Sequence, residues 1–445
     1  VLMSAALDGI RVLDVTQLMA GPFCAMLLCD MGADVIKVEP PQGDISRHRG
    51  HYQNQPDPSQ SGLFTHLNLN KRSVIIDFSE PSDTARMHEL LAEADLLVHD
   101  LPPDAADLVG LHEDDLARRH PSLVTVSVTP FGRTGPYSKW CAEDLQLIHG
   151  GGWGWMTPGC SDEIDQPPLK PAGQQAGFQI GFAAATIALG ALDRSLCTGE
   201  GEHLDLAGMA YISSMLEAGF ISWSYLNEIP GRAGTRILNP WRIFEVADGR
   251  IFIVCVEDDQ WARLKEVMGS PEWAQMEIFD TQAGRFDAED LLHMWLGEWA
   301  APQRVMDLFH LGQGNRIGFA PVNTIEQMLE DPHLRERGFL VEVDQPGLGT
   351  ITLPGPVARL AKSWWSVREP APALGEHQGA TFVEPRTADQ LVEQPRSRPL
   401  EGVTVADFTW VWAGPFCTMH LAHLGACLLY TSPSPRDGLL SRMPS

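Results

Sequence analysis

The sequence has few of the features that mark metal centres, membrane spans or nucleic-acid binding. Its eight cysteines show no metal-type spacing, which is typical of incidental thiols in a reducing cytosol. No apolar run reaches the roughly 18 residues of a membrane helix, and no signal peptide is visible. Only 32 Lys and Arg stand against 58 Asp and Glu, which gives a formal charge of −26. We therefore expect a cytoplasmic protein with no metal and with neither nucleic acid nor membrane as a partner.

The first forty residues contain the pattern of a strand, a sharp turn into a helix, and a second strand. Residues 11–15 are apolar and rich in β-branched side chains, and Gly21 is expected to make the turn. Pro22 suits the first helical position, where its missing N–H costs nothing. Gly32 ends the predicted helix, and residues 34–38 resume a strand. Such a βαβ unit favours a parallel sheet with helices on its faces.

Beyond this unit strands alternate with helices, so the parallel sheet is expected to continue. Strands are predicted at 73–78, 95–98, 123–128 and 203–206, and helices at 82–92, 113–119, 144–149 and 181–196. Ser82 is the expected N-cap of its helix, and the small-residue helix at 181–196 is expected to be buried. After Trp223 the pattern changes to a smaller α+β insert. This insert has a predicted strand at 251–256 and helices at 259–267 and 287–299, and a pair of strands follows at 339–343 and 350–353.

The opening stretch returns near the other end of the chain. Residues 7–33 and 400–426 align at a constant offset of 393 with 14 identities in 27 positions. A repeat of this length is not a solenoid unit. We predict that a second whole domain begins at about Leu400, after a linker at 379–399.

The tail at 427–445 breaks the repeat. Where the first copy runs into a strand, the second runs into a Ser/Pro-rich stretch that is not expected to form one. The codons of a sequencing adapter encode residues 427–437 and 441–445, so we predict that 427–445 is a translated sequencing adapter. The alternative is a disordered tail.

A series of short motifs, weak singly but specific in their order, resembles the family III CoA-transferases, the group that includes formyl-CoA transferase, carnitine CoA-transferase and α-methylacyl-CoA racemase. The motifs lie at 7–14, 20–22, 32–39, 68–73, 94–98, 131–137, 191–201, 321–323, 331–334 and 375–377. The resemblance implies an α/β fold with a nucleotide-binding-like parallel sheet and helices on both faces. It also implies a smaller α+β domain and a C-terminal segment that returns to the large domain. The expected boundaries are 7–222 for the large domain, 223–325 for the small one and 326–378 for the return.

The activity implied by the resemblance is transfer of CoA from an acyl-CoA thioester to a small carboxylic acid. An Asp carboxylate of the family attacks the thioester, forms a mixed anhydride and releases CoA, with no bound cofactor. The resemblance also implies interlocked subunits, here either a homodimer or an intrachain pseudo-dimer of two modules.

The family's nucleophilic Asp lies four residues before the glycine that corresponds to Gly181, and this position is Gly177. No carboxylate occurs between residues 170 and 192, so we expect this half to lack the nucleophile. Asp144 matches a second acidic position of the family. It is either a polar support or substitute base, or else a helix N-cap or surface acid, with Glu143 as a competing alignment. Racemisation is not expected, because residues 141–144 lack the His of the racemase branch.

The resemblance places candidate CoA-binding residues at Met19, Ala20, Asp100 and Leu101. Basic residues that the family often carries nearby are missing at four positions, which are Pro40, Ser79, Pro102 and Leu108. Arg and Lys supply charge-assisted hydrogen bonds to phosphates, so CoA binding is expected to be weakened.

Three hypotheses remain open from the sequence. The full-length tandem protein is a CoA-transferase whose nucleophile lies in the second module; or this half is a non-catalytic structural module that supports an active second half; or the tandem protein couples CoA transfer to elimination, as a lyase.

Overall fold

A computed structural model describes residues 5–49, 61–159, 165–216, 219–232, 238–361, 366–384, 397–410 and 412–430. The chain divides into two compact units. The larger consists of Val1–Trp153, Lys170–Glu217 and Val341–Ser445, and the smaller of Gly154–Leu169 and Ala218–Leu340. This division differs from the predicted boundaries, because the smaller unit also takes in Gly154–Leu169 and the chain returns to the larger unit at Val341 instead of at 326.

The larger unit is built on a six-stranded sheet in the order β3-β2-β1-β4-β5-β6. All of its pairings are parallel. The strands are β1 Arg11–Val15, β2 Asp34–Glu39, β3 Arg72–Ile75, β4 Leu96–His99, β5 Val124–Thr129 and β6 His203–Ala207. The strand order reverses between β1 and β4. In open parallel sheets this reversal opens a crevice at the carboxyl ends of the two strands, where ligands bind.

Helices cover both faces of this sheet, as predicted for an α/β fold. They are α1 Ala20–Asp30, α2 Gly62–Asn68, α3 Pro81–Glu93, α4 Pro103–Leu108, α5 Glu113–Arg119, α6 Asp144–Gly150, α7 Gln175–Thr198 and α8 Gly208–Ser214. Because side chains alternate along a strand, Val12 of β1 joins the core under α1 and α7, while Leu13 joins the core under α3 and α5.

The smaller unit is an α+β structure around an antiparallel sheet in the order β7-β8-β9. Its core includes the buried aromatic residues Trp261 and Phe279. Its elements are α9 Gly219–Leu226, β7 Trp241–Val246, β8 Gly249–Val254, α10 Asp258–Val267, α11 Gln282–Asp287, α12 Glu289–Ala300, α13 Val305–Gly314, β9 Gly318–Pro321, α14 Ile325–Glu330 and α15 Pro332–Glu336. The strands β10 Leu340–Gln345 and β11 Gly349–Pro354 then form a two-stranded sheet.

Three local predictions about helix starts are wrong. Pro22 is the third residue of α1 and not the first, although its missing N–H is still one of the unpaired ones. The N-cap of α3 is Glu80 and not Ser82, because Pro81 takes the first helical position. The buried small-residue helix is α7, which begins at Gln175, six residues before the predicted start.

Within the described residues, α7 is the one helix long and apolar enough to cross a membrane by length and composition. More than half of its most apolar window is buried. It packs along α1 in the core of the larger unit, and we interpret it as a core helix.

The repeat forms a second βαβ unit, made of β12 Thr404–Asp407, α16 Ala413–His423 and β13 Cys427–Tyr430. The two strands pair in parallel with Thr404 opposite Cys427, as Arg11 lies opposite Asp34 in the first copy. The expectation that no strand follows Ala426 is therefore wrong for Cys427–Tyr430. Residues 431–445, the rest of the predicted adapter, lie outside the described residues.

Gly21 serves a close approach and not a turn. A Cβ on Gly21 would lie 2.3 Å from the Cβ of Thr16, and one on Gly414 would lie 2.1 Å from the Cβ of Thr409. Both distances are far below van der Waals contact, so only glycine fits under the threonine. The same constraint therefore shapes both copies of the repeat.

A buried network of charges holds the carboxyl ends of β1 and β2. Lys71 donates to Asp14 at 2.9 Å and to the carbonyl of Pro22 at 2.8 Å. Lys37 pairs with Asp44 at 2.7 Å, and all four charged side chains are fully buried. Buried charges persist only when they are paired and hydrogen-bonded. This network therefore fixes the chain where β1 passes into α1.

Replacement of Lys71 tests this network. Lys71→Met leaves Asp14 with reduced compensation in the core, so we expect a loss of about 3–5 kcal/mol in the free energy of unfolding. Arg118→Met is the control, because Arg118 forms an exposed ion pair with Asp115 on α5 and its loss should cost at most about 1 kcal/mol. Urea denaturation measures both, and equal losses would contradict the network's role.

Candidate functional site

The candidate CoA-binding residues come together at the switch point of the sheet. Met19 and Ala20 follow β1, and Asp100 and Leu101 follow β4. The strands are adjacent and parallel, so both loops leave the same edge. A hydrogen bond of 2.7 Å from the backbone N–H of Gln17 to the Asp100 carboxylate joins the two loops. The CoA-binding role of these residues stays a prediction.

The turn from β1 into α1 has a strained backbone. Leu18 adopts a positive φ of 69°, which is uncommon for a residue with a side chain. Its N–H donates to Asp44 at 3.1 Å, so the buried charge network holds the strained residue in place. Met19 follows with its side chain buried and starts α1 as the N-cap residue. Backbone strain of this kind concentrates at functional sites.

Gly177 lies in the first turn of α7 and meets this loop directly. A Cβ built on Gly177 would lie 2.3 Å from the Cγ of Met19. One turn later, a Cβ on Gly181 would lie 2.6 Å from the carbonyl oxygen of Ala20. The structure therefore places Gly177, the position predicted for the family nucleophile, and Gly181 beside two of the candidate CoA-binding residues. These long-range contacts have no signal in the local sequence.

The carboxylate that lies next to Gly177 is that of Asp144, and it caps the start of α7. One carboxylate oxygen accepts the N–H of Ala176 at 2.7 Å and that of Gly177 at 3.4 Å. The other oxygen lies 2.8 Å from the ammonium of Lys170. The side chain is buried, so the carboxylate satisfies free N–H groups and meets the positive end of the helix dipole. Sequence reasoning missed Lys170.

Of the alternatives for Asp144, a helix-capping role agrees with the structure and a surface acid does not, because the side chain is buried and its carboxylate meets the first N–H groups of α7. It does not cap its own helix. Glu143 is the N-cap of α6 and forms a capping box with Gln146. Glu143 is exposed and pairs with Arg49 at 3.0 Å. If Glu143 instead of Asp144 matched the second acidic position of the family, that acid would lie on the surface. Asp144 faces the interior because it is the next residue along the helix.

Asp100 has an unusual protonation equilibrium. Burial raises the pKa of Asp100 to about 7, and the nearby Asp44 carboxylate adds to the effect, while the N–H of Gln17 and the ammonium of Lys37 oppose it. For Asp44 itself, burial is outweighed by Lys37, which lowers the pKa of that carboxyl to about 2. The Asp100 carboxyl group therefore holds its proton to higher pH than an exposed aspartate does.

The four positions where the family often has Arg or Lys carry uncharged residues in this chain. Leu108 on α4 is 87% exposed, which leaves an apolar side chain in water. Lys139 approaches α4 from another loop, but it pairs with Asp104 at 2.8 Å.

Among the described residues, no group of three or more His, Cys, Asp and Glu side chains is arranged to hold a metal.

Residues 7–378, and again 400–431, match the family model of CoA-transferase family III. The chain belongs to this family. A succinyl-CoA:mesaconate CoA-transferase of Haloarcula hispanica is 32% identical to it over 385 residues, which cover 85% of the chain and 96% of the relative. A succinate–glutarate CoA-transferase of Agrobacterium fabrum is 30% identical over 392 residues, covering 86% and 96%. This chain is thus a member of a family of enzymes that use CoA thioesters.

Solved structures agree with the family III fold. A CAIB/BAIF family protein from Brucella suis superposes with a TM-score of 0.74 at 28% identity, covering 84% of this chain and 98% of that one. Rv3272 from Mycobacterium tuberculosis also gives a TM-score of 0.74, at 26% identity, covering 85% and 99%. The predicted fold class is confirmed.

The capping role of Asp144 predicts a clear order of stabilities. Asp144→Ala uncaps α7 and leaves Lys170 without its carboxylate, so we expect a loss of about 1–3 kcal/mol in the free energy of unfolding. Glu143→Ala, the adjacent exposed acid, should cost at most about 1 kcal/mol. Denaturant titration compares the two. A larger loss for Glu143→Ala would refute the assignment.

The raised pKa of Asp100 predicts a pH-dependent stability. The folded state holds this proton up to about pH 7, whereas the unfolded chain releases it near 3.8, so the contribution is present below about pH 4 and is lost as the pH rises through about 7. Asp100→Asn removes this dependence, and its stability relative to the unchanged chain should increase from pH 4.5 to 7.5. Asp104→Asn, an exposed acid on α4, is the control for unfolding measured across this range. A pH-independent difference for Asp100→Asn would contradict the prediction.

Proposed function

We propose that the full-length protein is a tandem family III CoA-transferase that moves CoA from an acyl-CoA thioester to a small carboxylic acid. This chain is its amino-terminal module. The observation that carries the proposal is the second match to the family at 400–431. The second βαβ unit agrees with it, because its helix α16 begins and ends 393 residues after α1.

The exposed surface of the second βαβ unit supports a continuing second module. Its large apolar side chains are open to solvent, with Phe408 86% and Leu429 61% exposed. Their counterparts in the first copy, Val15 and Ile36, are buried by the rest of the sheet and its helices. A surface of this kind is expected where further structure packs. We propose that the two modules pair within one chain as a pseudo-dimer.

The proposed chemistry proceeds by covalent exchange. A carboxylate oxygen attacks the thioester carbonyl carbon, a C–O bond forms, the C–S bond breaks, and CoA leaves as the thiolate. The thiolate then attacks the enzyme's side of the mixed anhydride, frees the first acid, and leaves CoA bound to the enzyme as a thioester. The acceptor carboxylate attacks this thioester, forms a second mixed anhydride with the enzyme carboxyl group and releases the CoA thiolate. The thiolate then attacks the acceptor's carbonyl carbon, which gives the acceptor's CoA thioester and frees the enzyme carboxylate.

This module does not supply the attacking carboxylate. Position 177 is glycine, and no carboxylate occurs between residues 170 and 192. The carboxylate of Asp144 is occupied by helix N–H groups and by Lys170. We therefore propose that the nucleophile lies in the second module, near the counterpart of Gly177. The first half is accordingly a non-catalytic module that supports the second.

The names of the relatives suggest the substrates to test first. Succinyl-CoA is the donor in several of those names, and the acceptors are mesaconate, glutarate, citramalate and malate. All four acceptors are dicarboxylic acids. We propose an acceptor of this class for the tandem protein.

The assay of the chain alone tests this division of labour. With succinyl-CoA and each dicarboxylic acid, we expect turnover at least 1000-fold below that of the two-module protein, because removal of a catalytic nucleophile typically costs this much or more. Formation of the new CoA ester is followed by mass spectrometry of the products.

The two-module protein is obtained from its source gene, read through the codons that follow Ala426. Its second module should contain an Asp at the counterpart of Gly177, and changing that Asp to Asn should abolish transfer. Robust turnover by the present chain alone would refute the proposal, as would a two-module protein that is inactive with every donor and acceptor of these classes.

A further inference from the structure

We propose that the Met19 side chain fills the space beside position 177, where the covalent intermediate of the family is expected to form, so that any side chain at 177 is disfavoured while residue 19 remains methionine. The inference rests on the proposed function, because it concerns the position at which the covalent intermediate of the family is expected to form. It adds a residue whose identity decides whether that position can be used.

The contact between Met19 and Gly177 is closer than any side chain at 177 allows. A Cβ at 177 would lie 2.3 Å from Cγ of Met19 and 3.1 Å from its Cβ. Nonbonded carbon atoms approach to about 3.5–4.0 Å. Rotation of the Met19 side chain moves Cγ but leaves its own Cβ in place. A different rotamer therefore relieves only part of the overlap.

The backbone of Met19 is held on both sides. Its N–H donates to the carbonyl of Gln17 at 3.0 Å, and its carbonyl accepts the N–H of Phe23 at 2.9 Å as α1 begins. The preceding residue, Leu18, has a positive φ and is hydrogen-bonded to the buried Asp44. A shift of the loop would break these contacts together.

Helix α7 is also held close. Gly181 packs against the carbonyl oxygen of Ala20, and Asp144 binds the N–H of Ala176 at 2.7 Å. The two glycines, one turn apart, set the separation of α1 and α7. The Met19 side chain can therefore take its position only because residue 177 has no side chain.

Electrostatics add a second obstacle for a carboxylate. The carboxylate oxygen of Asp144 lies 3.4 Å from the backbone nitrogen of Gly177. A negative charge introduced at 177 would stand beside this one, and like charges in a buried site disfavour each other. Gly177→Asp should therefore be more destabilising than Gly177→Ala.

A double-mutant cycle on thermal stability tests the steric coupling. Gly177→Ala alone should lower the Tm by several degrees, and Met19→Ala alone should lower it by leaving a cavity. In the Met19→Ala background, Gly177→Ala should lower the Tm less than it does alone, because the closest atom, Cγ of residue 19, is gone while its Cβ at 3.1 Å remains. Met87→Ala is the matched control, since Met87 is a buried methionine of α3 in the other core cluster. Its effect should add to that of Gly177→Ala.

A second readout concerns the chemistry. A carboxylate introduced by Gly177→Asp is expected to attack succinyl-CoA only when Met19→Ala opens the site, with up to one CoA thiol released per chain and a succinyl adduct in the intact mass. Release by Gly177→Asp alone, as fast as by the double variant, would overturn the proposal. If neither variant releases CoA, the Tm cycle decides: retained coupling supports the proposal, and additive effects at positions 19 and 177 overturn it.

The two proposals fail in different ways. Turnover by the unchanged chain would refute the proposed function and leave the Tm cycle unaffected. Additive Tm changes would refute the role of Met19 while the chain stayed inactive.

Discussion

The buried carboxylate of Asp14 is the interaction on which the larger unit depends. It stands at the end of β1, completely enclosed, with Lys71 at 2.9 Å and Lys37 at 3.7 Å. The two lysines come from separate sequence motifs, one in β2 and one just before β3. A buried carboxylate without its cations would be strongly unfavourable, so these segments must assemble together. Three of the motifs that resemble the family, at 7–14, 32–39 and 68–73, thus each contribute one charged residue to this ion network.

This network also defines the candidate site. Lys71 binds the carbonyl of Pro22 inside α1, and Asp44, held by Lys37, binds the N–H of Leu18. These contacts therefore hold the loop between β1 and α1 in place, and Met19 in this loop contacts Gly177 of α7. Charge pairing in the core therefore constrains the loop that contains the candidate residue Met19.

The chain has the family III fold, and glycine stands at 177, the position predicted for the nucleophile. The sheet, the switch point and the approach of α1 to α7 are all present, and Asp144 supplies the negative charge at the start of α7. Function depends on the site and not on the fold, so a module can retain its architecture after its chemistry has moved elsewhere. In a tandem protein, such a module can still contribute packing surface to an active partner.

The sequence by itself determined the parallel sheet, the repeat at a constant offset and the absence of a carboxylate between residues 170 and 192. These follow from local composition, because the alternation of buried strands and helices and the identity of single residues are visible in one dimension. The repeat was recognised, but the strand at Cys427–Tyr430 was missed, because the Ser/Pro-rich residues after it dominated the local pattern.

Only the tertiary structure decided where α7 begins, what Asp144 binds and which side chain Gly177 contacts. The start of α7 was misplaced because its cap is not a neighbour in sequence: Asp144 stands 32 residues before the N–H that it accepts. The contact of Met19 with Gly177 joins two helices through the folded core. Such contacts depend on how elements pack, and neither hydrophobic periodicity nor turn chemistry encodes that packing.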